Sequence, residues 1–306
     1  RLVGSEMCIR DSLILILCLL LGACKNGNAS SQSKSETPQD TIKAIKMPAI
    51  PQMMTAPEQR ADFLAKHYWD NVNFADTNYI HHPEVTEQAW ADYCDLLNHV
   101  PLETAQQAMR NVIDRTNVDK KVFTYITDLA DKYLYDPNSP MRNEEFYIPV
   151  LEAMIASPVL NETEKIRPQA RLKLAQKNRI GTKALNFTYT LASGAQGSLY
   201  QLKAEYLLLF INNPGCQACT ETIEGLKNAP IINQLLQEKK LVLLSIYPDE
   251  ELDEWKKHLS EFPNEWINGY DKKFTIKEEQ VYDLKAIPTL YLLDKDKTVL
   301  LLSLIH

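Results

Sequence analysis

The chain has 306 residues, 45% of them hydrophobic, with 33 basic against 40 acidic side chains and a formal net charge of −7. That length and apolar content suit two packed domains rather than a disordered chain. Residues 45–180 carry 15 basic and 19 acidic side chains and residues 181–306 carry 13 and 17, so neither half offers the basic stripe that nucleic acid or an anionic membrane surface requires.

Arg1 to Ser12 reads as translated sequencing-adapter sequence, as does Ser303-Leu304-Ile305-His306, and neither end carries a functional argument. Leu13 to Leu21 is apolar but too short to span a bilayer, and it closes on Leu21-Gly22-Ala23-Cys24 before polar Lys25-Asn26-Gly27-Asn28. A short apolar run ended by small residues predicts a secretory signal over 1–24. Its last four residues resemble the bacterial lipobox, which implies a lipidated Cys24, a membrane anchor and a place in the bacterial cell envelope, facing the periplasm. Once the leader is gone and Cys24 acylated, the thiols left are Cys94, Cys216 and Cys219, too few for a disulfide scaffold.

Residues 25–50, rich in Ser, Asn, Lys, Gln and Pro, predict a flexible tether. Residues 51–180 predict an all-helical domain of five or six helices. Thr55-Ala56-Pro57-Glu58 has capping-box form ahead of an apolar face at Ala61, Leu64, Ala65, Tyr68 and Val72. Trp90, Tyr93, Cys94 and Leu97 follow helical spacing, which makes Cys94 a core thiol. Ala105 to Val112, Val122 to Tyr133 and Ile148 to Ile155 repeat the pattern, and Pro168 is expected to start or kink the segment 164–179. Adjacent His81 and His82 read as a solvated extended loop rather than a metal pair, and no catalytic constellation stands out in this half.

From 181 to 306 the period changes to that of an α/β domain. Alternation at Leu185, Phe187, Tyr189 and Leu191, then Ser193-Gly194, then Ser198 to Leu202 predicts a hairpin. Strand 206–211, a helix, strand 241–246, an acidic helix 249–261 and strand 286–294 follow, with a last strand Thr298–Leu301. Alternating strands and helices imply crossovers and a sheet covered on both faces.

Cys216-Gln217-Ala218-Cys219 sits between the first of these strands and its helix. That order puts Cys216 at a helix N-terminus, where unpaired N–H groups and the dipole favour a thiolate. A zinc half-site and inert core cysteines are the alternatives, but no second CxxC or HxxxH exists to complete a zinc site.

These residues resemble a thioredoxin-fold protein over about 184–301: hairpin, strand, CxxC helix, strand, helix and Ile287-Pro288-Thr289. The hairpin and the export signal point to the TlpA/ResA-like group of envelope thiol-disulfide oxidoreductases. With Arg60-Ala61-Asp62-Phe63-Leu64-Ala65-Lys66-His67-Tyr68-Trp69-Asp70 in the helical half, the chain resembles Bacteroidetes lipoproteins carrying the DUF5106 domain. The resemblance implies a cis Pro288 facing the CxxC, with Ile287 and Pro288 binding an extended substrate segment. It implies Cys216 as nucleophile and Cys219 as resolving thiol, with no cofactor or metal, disulfide-bearing envelope proteins as substrates and an upstream reductant. It also implies a closing helix after the last strand that this sequence lacks.

Two positions depart from the pattern. Gly215 stands where an aromatic residue often precedes the first cysteine, and Phe210 where thioredoxin has a buried acid. Glu221 and Glu224 on the CxxC helix read as its solvated face. Two other functions stay open: a binding lipoprotein with the thioredoxin domain as scaffold or redox switch, and a peroxiredoxin-like peroxidase, for which the threonine of the Pro/Thr frame is missing.

Overall fold

The computed structural model describes residues 44–304. Its first half packs α1 (Pro57–His67), α2 (Pro83–Leu97), α3 (Leu102–Arg115), α4 (Lys120–Ala130), α5 (Glu144–Ala156) and α6 (Glu162–Ala175) around one apolar cluster. Trp90, Tyr93 and Leu97 from α2, Met109 and Ile113 from α3, Ile126 from α4 and Leu151 from α5 are essentially fully buried. Each such side chain contributes about 1.5–3 kcal/mol relative to leaving it in water. Cys94 lies among them, 2% exposed, as the helical spacing predicts.

Three local expectations are corrected. Thr55 forms no capping box: Ala56 is the N-cap of α1, without a side-chain cap, and Pro57 follows it. Proline at the first helical position removes one of the unpaired N–H groups of the helix end, and its fixed φ suits the first turn. Pro168 does not start its helix but lies buried within α6, which begins at Glu162 under a reciprocal Asn161–Glu164 capping box. The box anchors the first turn, so the helix starts six residues before the proline. His81 closes a short 3-10 helix (Thr77–His81) rather than sitting on an extended loop, and His82 is the N-cap residue of α2, its Nδ1 3.0 Å from Glu84 Oε1.

The second half is a seven-stranded mixed sheet in the order β2-β1-β5-β4-β3-β6-β7. The strands are β1 (Thr188–Leu191), β2 (Gln196–Ser198), β3 (Tyr206–Ile211), β4 (Leu241–Tyr247), β5 (Ile267–Tyr270), β6 (Thr289–Asp294) and β7 (Val299–Leu304). Central β3 runs parallel to β4 and antiparallel to β6. Successive side chains of a strand point to opposite faces. Leu207, Leu209 and Ile211 therefore enter one apolar cluster while Leu208 and Phe210 enter another, so both faces are covered. The connecting helices are α7 (Gln217–Lys227), α8 (Pro230–Gln237), α9 (Leu252–His258) and short α10 (Thr275–Glu278).

The hairpin forms, but its strands are shorter than the alternation predicts. Leu199 to Gln201 winds into a 3-10 turn under a Ser198–Gln201 capping box, ending the β pattern early. Strand β5 is absent from the sequence reading because Ile267-Asn268-Gly269-Tyr270 has neither alternation nor β-branched content beyond Ile267.

Candidate active site

The turn Asn212-Asn213-Pro214-Gly215 joins β3 to α7 and delivers Cys216 as the N-cap residue of that helix. Gly215 adopts φ +73, a left-handed conformation that glycine takes without strain. That requirement accounts for a glycine where the related pattern has an aromatic residue. Buried Asn212 fixes the turn from below, donating from Nδ2 to Ser245 Oγ at 2.8 Å and to the Phe210 carbonyl.

The two cysteines occupy contrasting environments. Cys216 is partly exposed, whereas Cys219, one turn into α7, is 2% exposed; both are free thiols. The Cys219 N–H donates to Cys216 Sγ at 3.2 Å, so a negative charge on that sulfur would meet a helix-end donor. Burial above all pushes the Cys219 thiol up to about 12, with the bond to Cys216 adding to the effect and a backbone hydrogen bond from Asn213 opposing it. Cys219 thus stays a protonated thiol around neutral pH while its neighbour faces solvent.

The segment 286–289 reaches the same point from 71 residues away. The Ile287–Pro288 peptide is cis, and the Ile287 carbonyl accepts from Cys216 Sγ at 3.8 Å. The fold therefore brings Cys216, Cys219, Ile287 and Pro288 together. Cys24 lies outside the described residues. Phe210 is fully buried in apolar surroundings, so the acid of the related pattern is replaced by a ring. Glu221 and Glu224 are exposed on α7, bonded to Gln217 and Lys227.

Three neighbours carried no sequence signal. Asn213 Nδ2 donates to Asp249 Oδ2 at 3.0 Å, and Lys277 Nζ donates to Asp249 Oδ1 at 2.9 Å. They line a cleft of about 410 Å³ beside the CxxC turn, together with Glu250, Glu251 and Glu254. The strands and helices that carry them meet only in the folded sheet.

Residues 23–178 match a family described as a domain of unknown function, DUF5106, and residues 204–299 match a thioredoxin-like family. The chain belongs to the DUF5106 family. This DUF5106 protein is 84% identical to a thioredoxin-like protein from Bacteroides caccae, with a TM-score of 0.83 over 85% of this chain and 94% of that one. The C-terminal domain of an uncharacterized protein from Bacteroides fragilis is 71% identical over 40% of this chain and 89% of that one, with a TM-score of 0.40. A domain of a possible thiol-disulfide isomerase from Cytophaga hutchinsonii is 27% identical over 40% and 83%, with a TM-score of 0.34. No curated protein matches the chain. The resemblance read at Arg60–Asp70 and across the CxxC domain thus holds: a helical DUF5106 region precedes a thioredoxin-like α/β domain.

Proposed function

We propose that this protein is a thiol-disulfide oxidoreductase that reduces protein disulfides through Cys216 and Cys219. The observation that carries the reading is the juxtaposition at one helix end of a partly exposed sulfur, a buried protonated thiol and the Ile287 carbonyl. The Cys216 thiolate attacks one sulfur of a substrate disulfide. A Cys216–substrate bond forms, and the other substrate sulfur leaves as a thiolate and takes a proton. Cys219 then loses its proton and attacks the Cys216 sulfur, releasing the second substrate thiolate. Two electrons pass to the substrate, and the Cys216–Cys219 disulfide remains for an upstream dithiol to reduce. An extended substrate segment pairs with the backbone at Ile287 during the exchange, with Pro288 beneath it.

The polar tether and the lipobox resemblance at Cys24 support a lipid-anchored protein of the bacterial envelope facing the periplasm, with disulfide-bearing envelope proteins as its substrates. Reduction of insulin by the purified protein tests the activity. Cys216→Ser is expected to abolish it, and undiminished turnover in that variant rejects the reading. Loss of membrane association in Cys24→Ser tests the anchor.

A further inference from the structure

Among the described residues, the side-chain hydrogen bonds and ion pairs that join residues 57–179 to residues 199–304 all end on one segment, 279–285. Lys177 Nζ donates to the Glu279 and Gln280 carbonyls, and buried Asn178 donates to the Val281 carbonyl at 2.8 Å. Arg142 Nη2 lies 3.1 Å from Glu144 Oε1 and 3.5 Å from Asp283 Oδ2. Lys285 Nζ lies 2.8 Å from Glu144 Oε1 and 2.5 Å from Asp283 Oδ2. The Lys285 ammonium also stands 3.8 Å from the centroid of the Tyr135 ring, which takes the Arg171 guanidinium at 4.0 Å. Two cations and two carboxylates are thus interleaved between the halves, with side chains only 4–19% exposed.

Such a cluster is a poor device for stability. Removing charges from water is only repaid when every donor is satisfied, and Arg142 Nε and Nη1 are buried with no partner among the described residues. Its value is geometric. Lys285 is two residues before Ile287, whose carbonyl meets Cys216, and Thr289 Oγ1 bonds back to the Ala286 carbonyl at 2.5 Å. Fixing Lys285 and Asp283 therefore fixes the near end of the segment that closes over the sulfurs.

We infer that Lys285, held by Glu144 and Tyr135 of the helical half, is a positioning residue that keeps the Ile287–Pro288 segment in place against Cys216, so that the DUF5106 region sets how well this site takes its substrate. The part concerning substrate rests on the reductase reading. A misplaced recognition segment weakens binding of an extended disulfide peptide more than it slows exchange at the sulfurs, so the signature is in KM.

The test has two readouts on the full chain. Amide hydrogen exchange, followed by mass spectrometry on peptides covering 283–289, reads the segment without any turnover. Lys285→Met is expected to speed exchange there about tenfold while peptides covering 216–227 stay unchanged. Lys285→Arg, which keeps the cation, is expected to restore protection. Because Lys285→Met leaves two buried carboxylates sharing Arg142 alone and can unfold the protein, Tyr135→Leu serves as the neutral second variant, with the same direction expected. Turnover of a self-quenched, eosin-labelled glutathione disulfide then reads the consequence: KM rises about three- to tenfold in Lys285→Met and Tyr135→Leu with kcat nearly constant, and Lys285→Arg returns it. Unchanged exchange at 283–289 in both folded variants overturns the inference, as does a fall in kcat at constant KM. If the wild-type protein does not reduce the probe, the reductase reading fails while the exchange arm still decides whether Lys285 holds the segment.

Discussion

At the scale of single residues, the division of labour between the two cysteines makes a prediction about pH. Cys219 is held as a neutral thiol by burial up to about 12, while an unfolded cysteine ionises in the ordinary range near 8.5. Below that range both states carry the proton and the stabilising effect of the buried neutral thiol is complete. As pH rises from there toward 12, the unfolded chain ionises first and that stability is lost. In Cys216→Ser, alkylation of Cys219 by iodoacetamide is therefore expected to be negligible at pH 7 and to stay slow at pH 9, whereas partly exposed Cys216 in Cys219→Ser is expected to be labelled faster at either pH. Mass spectrometry of timed samples checks this, and rapid labelling of Cys219 in the folded protein at pH 7 contradicts it. Gly215 supplies a second case. A Cβ at this position would meet nothing within 4 Å, so the penalty of Gly215→Ala comes from φ +73 alone. It is expected to destabilise by about 1 kcal/mol in urea unfolding, with Gly215→Asn milder because asparagine tolerates that region. The two cysteines were legible in the sequence because a redox pair needs its thiols close in the chain, and the Ile-Pro pair was legible only through the thioredoxin resemblance. The positive φ of Gly215 was not, since a sequence shows a glycine without its dihedral.

At the scale of elements, the hairpin side of the sheet is shaped by one ring. Tyr189 on β1 lies across Gly197 of β2, its register partner, and across Gly269 of β5. A Cβ on Gly269 would stand 2.9 Å from Tyr189 Cδ2 and 3.2 Å from its Cβ, and the buried ring has little room to yield. Gly269→Ala is thus expected to destabilise the protein by about 1–3 kcal/mol, measured by the midpoint of urea unfolding, and Tyr189→Leu in the same chain is expected to recover part of that loss. An unchanged midpoint in Gly269→Ala would mean that the ring swings aside freely. This contact also shows why β5 escaped the sequence reading. Its glycine is there to admit a side chain from another strand 80 residues away, and the same glycine removes the alternation that would mark a strand. Helices α2 to α5 were legible because each repeats apolar residues at helical spacing. The start of α6 ahead of Pro168 was not legible, because the burial of that proline inside the helix is a tertiary fact.

At the scale of the whole molecule, the apolar clusters do not merge. The helical cluster draws on residues up to Leu172, and the two sheet clusters on residues from Ala184 onward. What joins the halves is polar, centred on Arg142, Glu144, Asp283 and Lys285, 141 residues apart in sequence and invisible to any periodicity. Buried ion pairs position groups well but add little net stability, so the halves are not expected to unfold as one unit. The four tryptophans allow this to be read. Trp69 and Trp90 lie buried in the helical cluster, and Trp255 and Trp266 are buried in the sheet half. With one pair replaced by phenylalanine, fluorescence during guanidinium unfolding follows one half at a time, and two separate midpoints are expected. Oxidising Cys216 and Cys219 closes only a four-residue loop, whose stabilisation in the chain-entropy picture is about 2 kcal/mol. It should shift the midpoint reported by Trp255 and Trp266 and leave that reported by Trp69 and Trp90 in place. Coincident curves from the two probe pairs, moving together on oxidation, would show instead that the polar seam binds the halves into a single cooperative unit.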